Sequence, residues 1–222
     1  MEREITFSKP ACLTERRILR RFNDMKILEF GDTSKRKIIL IHGFQCPWQL
    51  WNRYIEYYKN KFHIIVPIMS GHNPDVKDDF ISFAADAIEI EDYILSRYGK
   101  EIYAVYGMSM GGVLTATLWQ NNRLTFDKVI FDGSPLVSYN KLMKGFMKKF
   151  YVDITHKSQQ RDRKTVEHGT AVNEILAKKS AKYVKKHHPN TTVKCFKGKF
   201  HCENALFNPE IMIVELDKIF DK

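Results

Sequence analysis

Short runs of contiguous apolar residues alternate along this chain with longer stretches whose apolar positions recur every three or four residues. The short runs are MKILEF at Met25 to Phe30, KIILIH at Lys37 to His42, HIIVPI at His63 to Ile68, IYAVY at Ile102 to Tyr106, KVIF at Lys128 to Phe131 and VKCF at Val193 to Phe196. Their apolar continuity predicts strands covered on both faces. The longer stretches predict helices around Trp48 to Tyr58, Phe80 to Arg97, Gly111 to Gln120, Glu174 to His187 and Pro209 to Phe220. Strands separated by helices imply crossover connections. The expected architecture is therefore α/β, a mostly parallel central sheet flanked by helices. No repeat or low-complexity linker divides the 222 residues, which suit a single domain over 1–222.

One stretch breaks the pattern. From Ser134 to Lys164, NKLMKGFMKKFY places Leu142, Phe146 and Phe150 at helical spacing before the polar run HKSQQRDRKT. Residues 135–164 are expected to form either a small lid insertion or an ordinary crossover helix and loop. The first 24 residues, including TERRILRRF, are basic and carry no recognisable role.

Composition narrows the class. With 44% hydrophobic and 13% aromatic residues, the chain can bury a substantial core. No run approaches the ~18 apolar residues of a membrane span, and MEREITFSKP carries charge where a signal peptide is apolar. A cytoplasmic protein with no integral-membrane association is expected. The four cysteines, Cys12, Cys46, Cys195 and Cys202, form no CxxC pair and read as free thiols. Cys195, His201 and Cys202 do not match a zinc spacing, so no metal is expected. Charge is uneven. Residues 141–199 hold 16 Lys and Arg against 4 Asp and Glu, +12 in a chain of net +10. Such a segment attracts anions, but a lysine-rich helix is more often a solvated face. In the absence of a nucleic-acid motif, no nucleic-acid partner is expected. Oligomeric state does not follow from the sequence.

The chemistry lies in three places. Ser109 sits in Gly107-Met108-Ser109-Met110-Gly111, between a strand and the helical GVLTATLW. A strand–turn–helix of this kind strains the serine backbone and brings the two elements so close that the flanking positions must be glycine. His42-Gly43-Phe44 ends an early strand, and Gly43 lets the loop backbone approach a neighbouring site closely. A tetrahedral intermediate needs two aligned N–H donors for its oxyanion, here expected from Phe44 and Met110. His42 reads as a structural histidine orienting this loop. His201 lies on a loop near the C-terminus and suits a general base. An imidazole with its ordinary pKa makes the rate rise between pH 5 and 8.

These motifs together resemble the α/β-hydrolase superfamily over residues 25–222. HGFQCPWQLW is similar to its oxyanion loop, MSGHNPD to the loop after the next strand, YGMSMGG to its nucleophile elbow and KGKFHCE to its histidine loop. The resemblance implies an α/β-hydrolase fold with a short lid, and a triad in the chain order Ser, acid, His. The chain departs from the pattern at the acid. Where a strand and an acidic loop belong, only TVEHGTAVNE is found, with TVEH at best a short strand. Glu174, read as lying just before the helix ILAKKSAKYVKKHHP, is the preferred acid. Asp132, ending KVIF, is the alternative.

The implied function is a cofactor-independent serine hydrolase (carboxylesterase- or lipase-like) that cleaves a small-molecule carboxylic ester or related acyl bond through an acyl-enzyme on Ser109. Phe44, Trp48, Met108 and Phe146, with Met110, are expected to line an apolar acyl pocket. Two alternatives stand beside it: a thioesterase or acyltransferase on the same residues, and a catalytically silent relative acting as a binding module.

Overall fold

The computed structural model describes residues 25–75, 79–137 and 163–221. Strands β1 (Ile27–Phe30), β2 (Lys37–Ile41), β3 (His63–Pro67), β4 (Glu101–Met108) and β5 (Thr125–Asp132) form one sheet in the order β1-β3-β2-β4-β5. β1 pairs antiparallel with β3, and every other pairing is parallel. The helices are α1 (Asn52–Tyr58, preceded by a 3-10 turn at Trp48–Trp51), α2 (Phe83–Tyr98), α3 (Met110–Asn121), α4 (Arg163–His187), α5 (Glu203–Phe207) and α6 (Pro209–Phe220).

Both faces of the sheet are covered, as the unbroken apolar runs require. Ile38 and Leu40 of β2, with Ile64 and Val66 of β3, face a core that includes Trp51, Tyr54, Tyr58, Leu216 and Phe220. The alternate residues Ile39, Ile41 and Ile65 face Ile90 and Ile94 of α2 and Leu114 and Leu118 of α3. Each such side chain contributes about 1.5–3 kcal/mol of burial energy. Three phenols then tie the C-terminal helices to the sheet and α1. Tyr54 donates to the Ala205 carbonyl (3.1 Å), Tyr58 to Ile213 (3.2 Å) and Tyr103 to Phe220 (2.8 Å). These bonds fix α5 and α6, and with them the loop that precedes α5.

Two expectations are corrected. VKCF does not form a strand: residues 191–196 carry no ladder, and Val193, Lys194 and Cys195 are exposed while Phe196 packs on the core. One apolar anchor among polar neighbours is too little to hold a strand on the sheet. TVEH is helical, because α4 begins at Arg163 and runs on past Glu174. Its Ala, Lys, Glu and Leu content favours helix, and the single Gly169 costs only about 1 kcal/mol. Glu174 therefore lies inside a helix, neither on an acid loop nor at a helix start. Of the proposed lid 135–164, residues 138–162, Phe146 among them, lie outside the described residues.

Candidate active site

Ser109 stands at the junction of β4 and α3 with φ 52° and ψ −115°, a left-handed conformation that is costly for a residue with a side chain. Close packing holds it there. A Cβ on Gly111 would collide with the carbonyl oxygens of Ile41 and His42, and one on Gly107 with Thr115 Oγ1 and, at 2.5 Å, with the Gly111 oxygen. Neither position admits a side chain. The Ser109 N–H donates to the Asp132 carbonyl at the end of β5 (2.7 Å), which locks the turn to the neighbouring strand.

His201 reaches this serine from the other end of the chain. Its Nε2 lies 2.8 Å from Ser109 Oγ. The Asp132 carbonyl also serves the histidine loop, accepting from the Cys202 thiol (3.7 Å) as well as from Ser134 Oγ (3.3 Å). Cys202 itself adopts a left-handed conformation, φ 54°. On the outer side, Glu203 caps the loop by accepting from Lys199 Nζ (2.8 Å) and the Phe200 N–H (2.9 Å). The sequence offered Cys202 as a free thiol and Glu203 as nothing in particular. Their proximity to His201 in the chain was the available signal.

The protonation state follows from the geometry. To accept the Ser109 proton, His201 Nε2 must be bare, which places the neutral ring's hydrogen on Nδ1. Nδ1 is buried and has no hydrogen-bond partner among the described residues. Burial pushes the imidazole pKa down from 6.5 to about 4. A ring with that pKa is already largely neutral from pH 5 to 8, unlike the ordinary imidazole behind the expected rise in rate.

Neither candidate acid makes a described hydrogen bond to Nδ1. The Asp132 carboxylate accepts from the Tyr106 hydroxyl through Oδ2 (2.8 Å). Burial raises its pKa, the Tyr106 bond lowers it and the charge of Glu174 raises it further. Its neighbour Gly133 lies directly against the histidine. A Cβ there would stand 2.8 Å from His201 Cε1 and 3.0 Å from Nδ1.

The loop after β2 completes the surroundings. Gly43 passes beside the nucleophile, a Cβ there falling 3.4 Å from Ser109 Cβ. His42 is fully buried, its Nδ1 bonded to the Gly43 carbonyl (2.9 Å) and its Nε2 accepting from the Met69 N–H (3.2 Å). Burial pushes its pKa to about 4, so it is a neutral tie between the loops after β2 and β3, in keeping with the structural reading. His72 forms a second tie, accepting from the Gln45 N–H (3.2 Å) and bonding to the Ser70 carbonyl (3.2 Å). Phe44, the residue after Gly43, is exposed and meets His72 edge-on. Trp48 is half-buried against Phe30, and Met108 is buried in the core with its Cε beneath Gly43. Of the expected pocket residues, Phe44 is open to a ligand and Met108 is not.

No family model matches the chain, and no curated protein matches it in sequence. Solved structures match it in shape. A carboxylesterase from Nitrososphaera gargenis aligns over 89% of this chain and 94% of its own, with TM-score 0.70 and 12% identity. A protein assigned to the α/β-hydrolase family from Desulfitobacterium hafniense aligns over 88% of this chain and 100% of its own (TM-score 0.67, 15% identity). The chain has the α/β-hydrolase fold. MenH from S. aureus is a third neighbour, covering 90% of this chain and 100% of its own at TM-score 0.64 and 14% identity. At these identities the likeness concerns the α/β-hydrolase fold. The chemistry has to be argued from the residues.

Proposed function

We propose that this chain is a serine hydrolase that cleaves a small lipophilic carboxylic ester, or a related acyl bond, through an acyl-enzyme on Ser109. The observation that carries the reading is the 2.8 Å contact between Ser109 Oγ and His201 Nε2, made by a serine on a strained strand-to-helix turn. In acylation, Oγ bonds to the substrate carbonyl carbon as its proton passes to Nε2. The oxyanion is taken by the backbone N–H groups of Phe44 and Met110, the second of which opens α3 and adds the positive end of the helix dipole. Collapse breaks the bond to the leaving alkoxide, which leaves as alcohol with the proton from Nε2. Water then repeats the sequence on the acyl-enzyme, releasing the carboxylic acid and restoring Ser109.

We assign the acid of this machinery to Asp132. It immediately precedes Gly133, which lies against the unpartnered edge of His201, whereas Glu174 projects from the interior of α4. With its carboxylate bonded to Tyr106, the described state is a Ser–His pair, and this assignment requires the carboxylate to turn from Tyr106 to Nδ1. The test is turnover of p-nitrophenyl esters of increasing chain length alongside acyl-CoA substrates. Preferred cleavage of the esters supports the reading, preferred cleavage of acyl-CoA replaces it with a thioesterase, and turnover of neither contradicts it.

A further inference from the structure

Helix α4 carries a surface that the catalytic reading does not use. Between Ile175 and His188 there is no Asp or Glu, while Lys178, Lys179, Lys182, Lys185 and Lys186 are all exposed. At about 100° per residue these five fall within an arc of about 120°, opposite the buried Leu176 and Ser180. Lys182 stands one turn from each of the other four, so the face repels itself. None of the five has a hydrogen bond or ion pair among the described residues. Elsewhere Lys26 pairs with Asp75, Lys59 with Glu56, Lys61 with Asp217, Lys199 with Glu203 and Lys218 with Glu215. With no acid interspersed, the positive charge of this face is left uncompensated by its own helix.

We propose that this face docks the protein on an anionic lipid bilayer. Charge complementarity gives the sign of the partner, and the exposed apolar and aromatic side chains among the lysines give its kind. Ile175 lies at the centre of the arc, 56% exposed, and Tyr183 on its flank, 45% exposed. An apolar group and an amphipathic ring among lysines suit a headgroup layer, where lysine stems lie along apolar matter and the charges reach phosphate. The other side of α4 is fixed to the body, Ser180 Oγ accepting from the Leu136 N–H at 2.8 Å. The lysine face therefore points away from the body of the protein. Leu136 follows β5 by four residues, so the buried side of α4 at Ser180 meets the chain just past the end of β5. Docking itself requires no turnover and is tested independently of the proposed hydrolysis.

The experiment is flotation of the full chain with vesicles of phosphatidylcholine alone and of phosphatidylcholine with about 30% phosphatidylserine, at low and high ionic strength. The wild type is expected on the anionic vesicles at low salt, and off them at high salt or without phosphatidylserine. Each lysine near such a surface strengthens binding about fivefold, so K178Q/K182Q/K186Q should weaken it about a hundredfold. These three side chains are exposed and have no ion pair among the described residues, and circular dichroism checks that the fold is kept. Replacement of the acid-paired Lys59 and Lys61 by glutamine should leave binding unchanged. Failure of the wild type to float with anionic vesicles overturns the proposal. So does equal flotation of the triple variant, or a triple variant that loses binding to a DNA duplex while still floating.

Discussion

The rate of Ser109 acylation is expected to stay flat as the pH is lowered from 8 to about 5. The reason is the buried ring of His201, whose pKa falls from 6.5 to about 4 because the charged form loses its hydration. Only the neutral ring can accept the serine proton. With a pKa of about 4 the ring is about 97% neutral at pH 5.5, whereas an unperturbed ring would be only about 9% neutral there. The ratio of kcat/KM at pH 5.5 to that at pH 8 should therefore lie near 1 rather than near 0.1. The assay is p-nitrophenyl ester hydrolysis from pH 3.5 to 8, with circular dichroism confirming the fold at each pH. Because kcat/KM reports the free enzyme, it samples the state in which Nδ1 lacks an acceptor. If Asp132 swings onto Nδ1 once substrate is bound, the imidazolium gains a counter-charge and the acid limb of kcat should lie above that of kcat/KM. A tenfold loss of kcat/KM between pH 8 and 5.5, with a midpoint near 6.5, would refute the burial argument.

Three further outcomes follow from named contacts. Asp132→Asn should lower kcat by about 10²–10⁴ with the fold intact, the range for a misoriented catalytic imidazole, while Glu174→Gln should change it little; the reverse pattern in steady-state kinetics returns the acid to Glu174. Gly111→Ala forces a methyl against two backbone carbonyls, and thermal melts should show a loss of about 1–3 kcal/mol or more; an unchanged melting temperature would mean the turn is looser than described. Stability should fall as pH drops from 6.5 to 4, because the unfolded chain protonates His42 in that window and the native chain does not. The shift from 6.5 to about 4 at this fully buried ring corresponds to about 3 kcal/mol. Denaturant titrations showing less than about 1 kcal/mol of loss attributable to His42, by comparison with His42→Gln, would contradict it.

The fold was legible because its signals are local. Strand–turn–helix at Ser109, the loop at Gly43 and the apolar runs each depend on a few adjacent residues, and the five strands and the terminal helix at Pro209–Phe220 appear where the pattern places them. VKCF misled because four residues of strand character say nothing about whether a neighbouring strand is there to pair with them. The helix boundary at Glu174 misled for a related reason: the apolar spacing from Ile175 read as a helix start, but Ala, Lys and Glu propagate α4 back to Arg163. The environment of His201 was not readable at all. Its depressed pKa, the Asp132 carbonyl that anchors both Ser109 and Cys202, and the Tyr106 hydroxyl on the Asp132 carboxylate join residues up to 93 positions apart, if Ser109 and Cys202 are compared. Such contacts arise only once the sheet has brought the ends of β4 and β5 together.

The central claim is that Ser109 is a nucleophile activated by His201, and covalent labelling tests it most directly. A fluorophosphonate probe should react with the wild type, and peptide mass spectrometry should place the adduct on Ser109. Ser109→Ala should abolish labelling and His201→Ala should slow it by orders of magnitude, with both variants folded. Labelling that persists in Ser109→Ala, or a folded wild type that the probe leaves unmodified, would contradict the account.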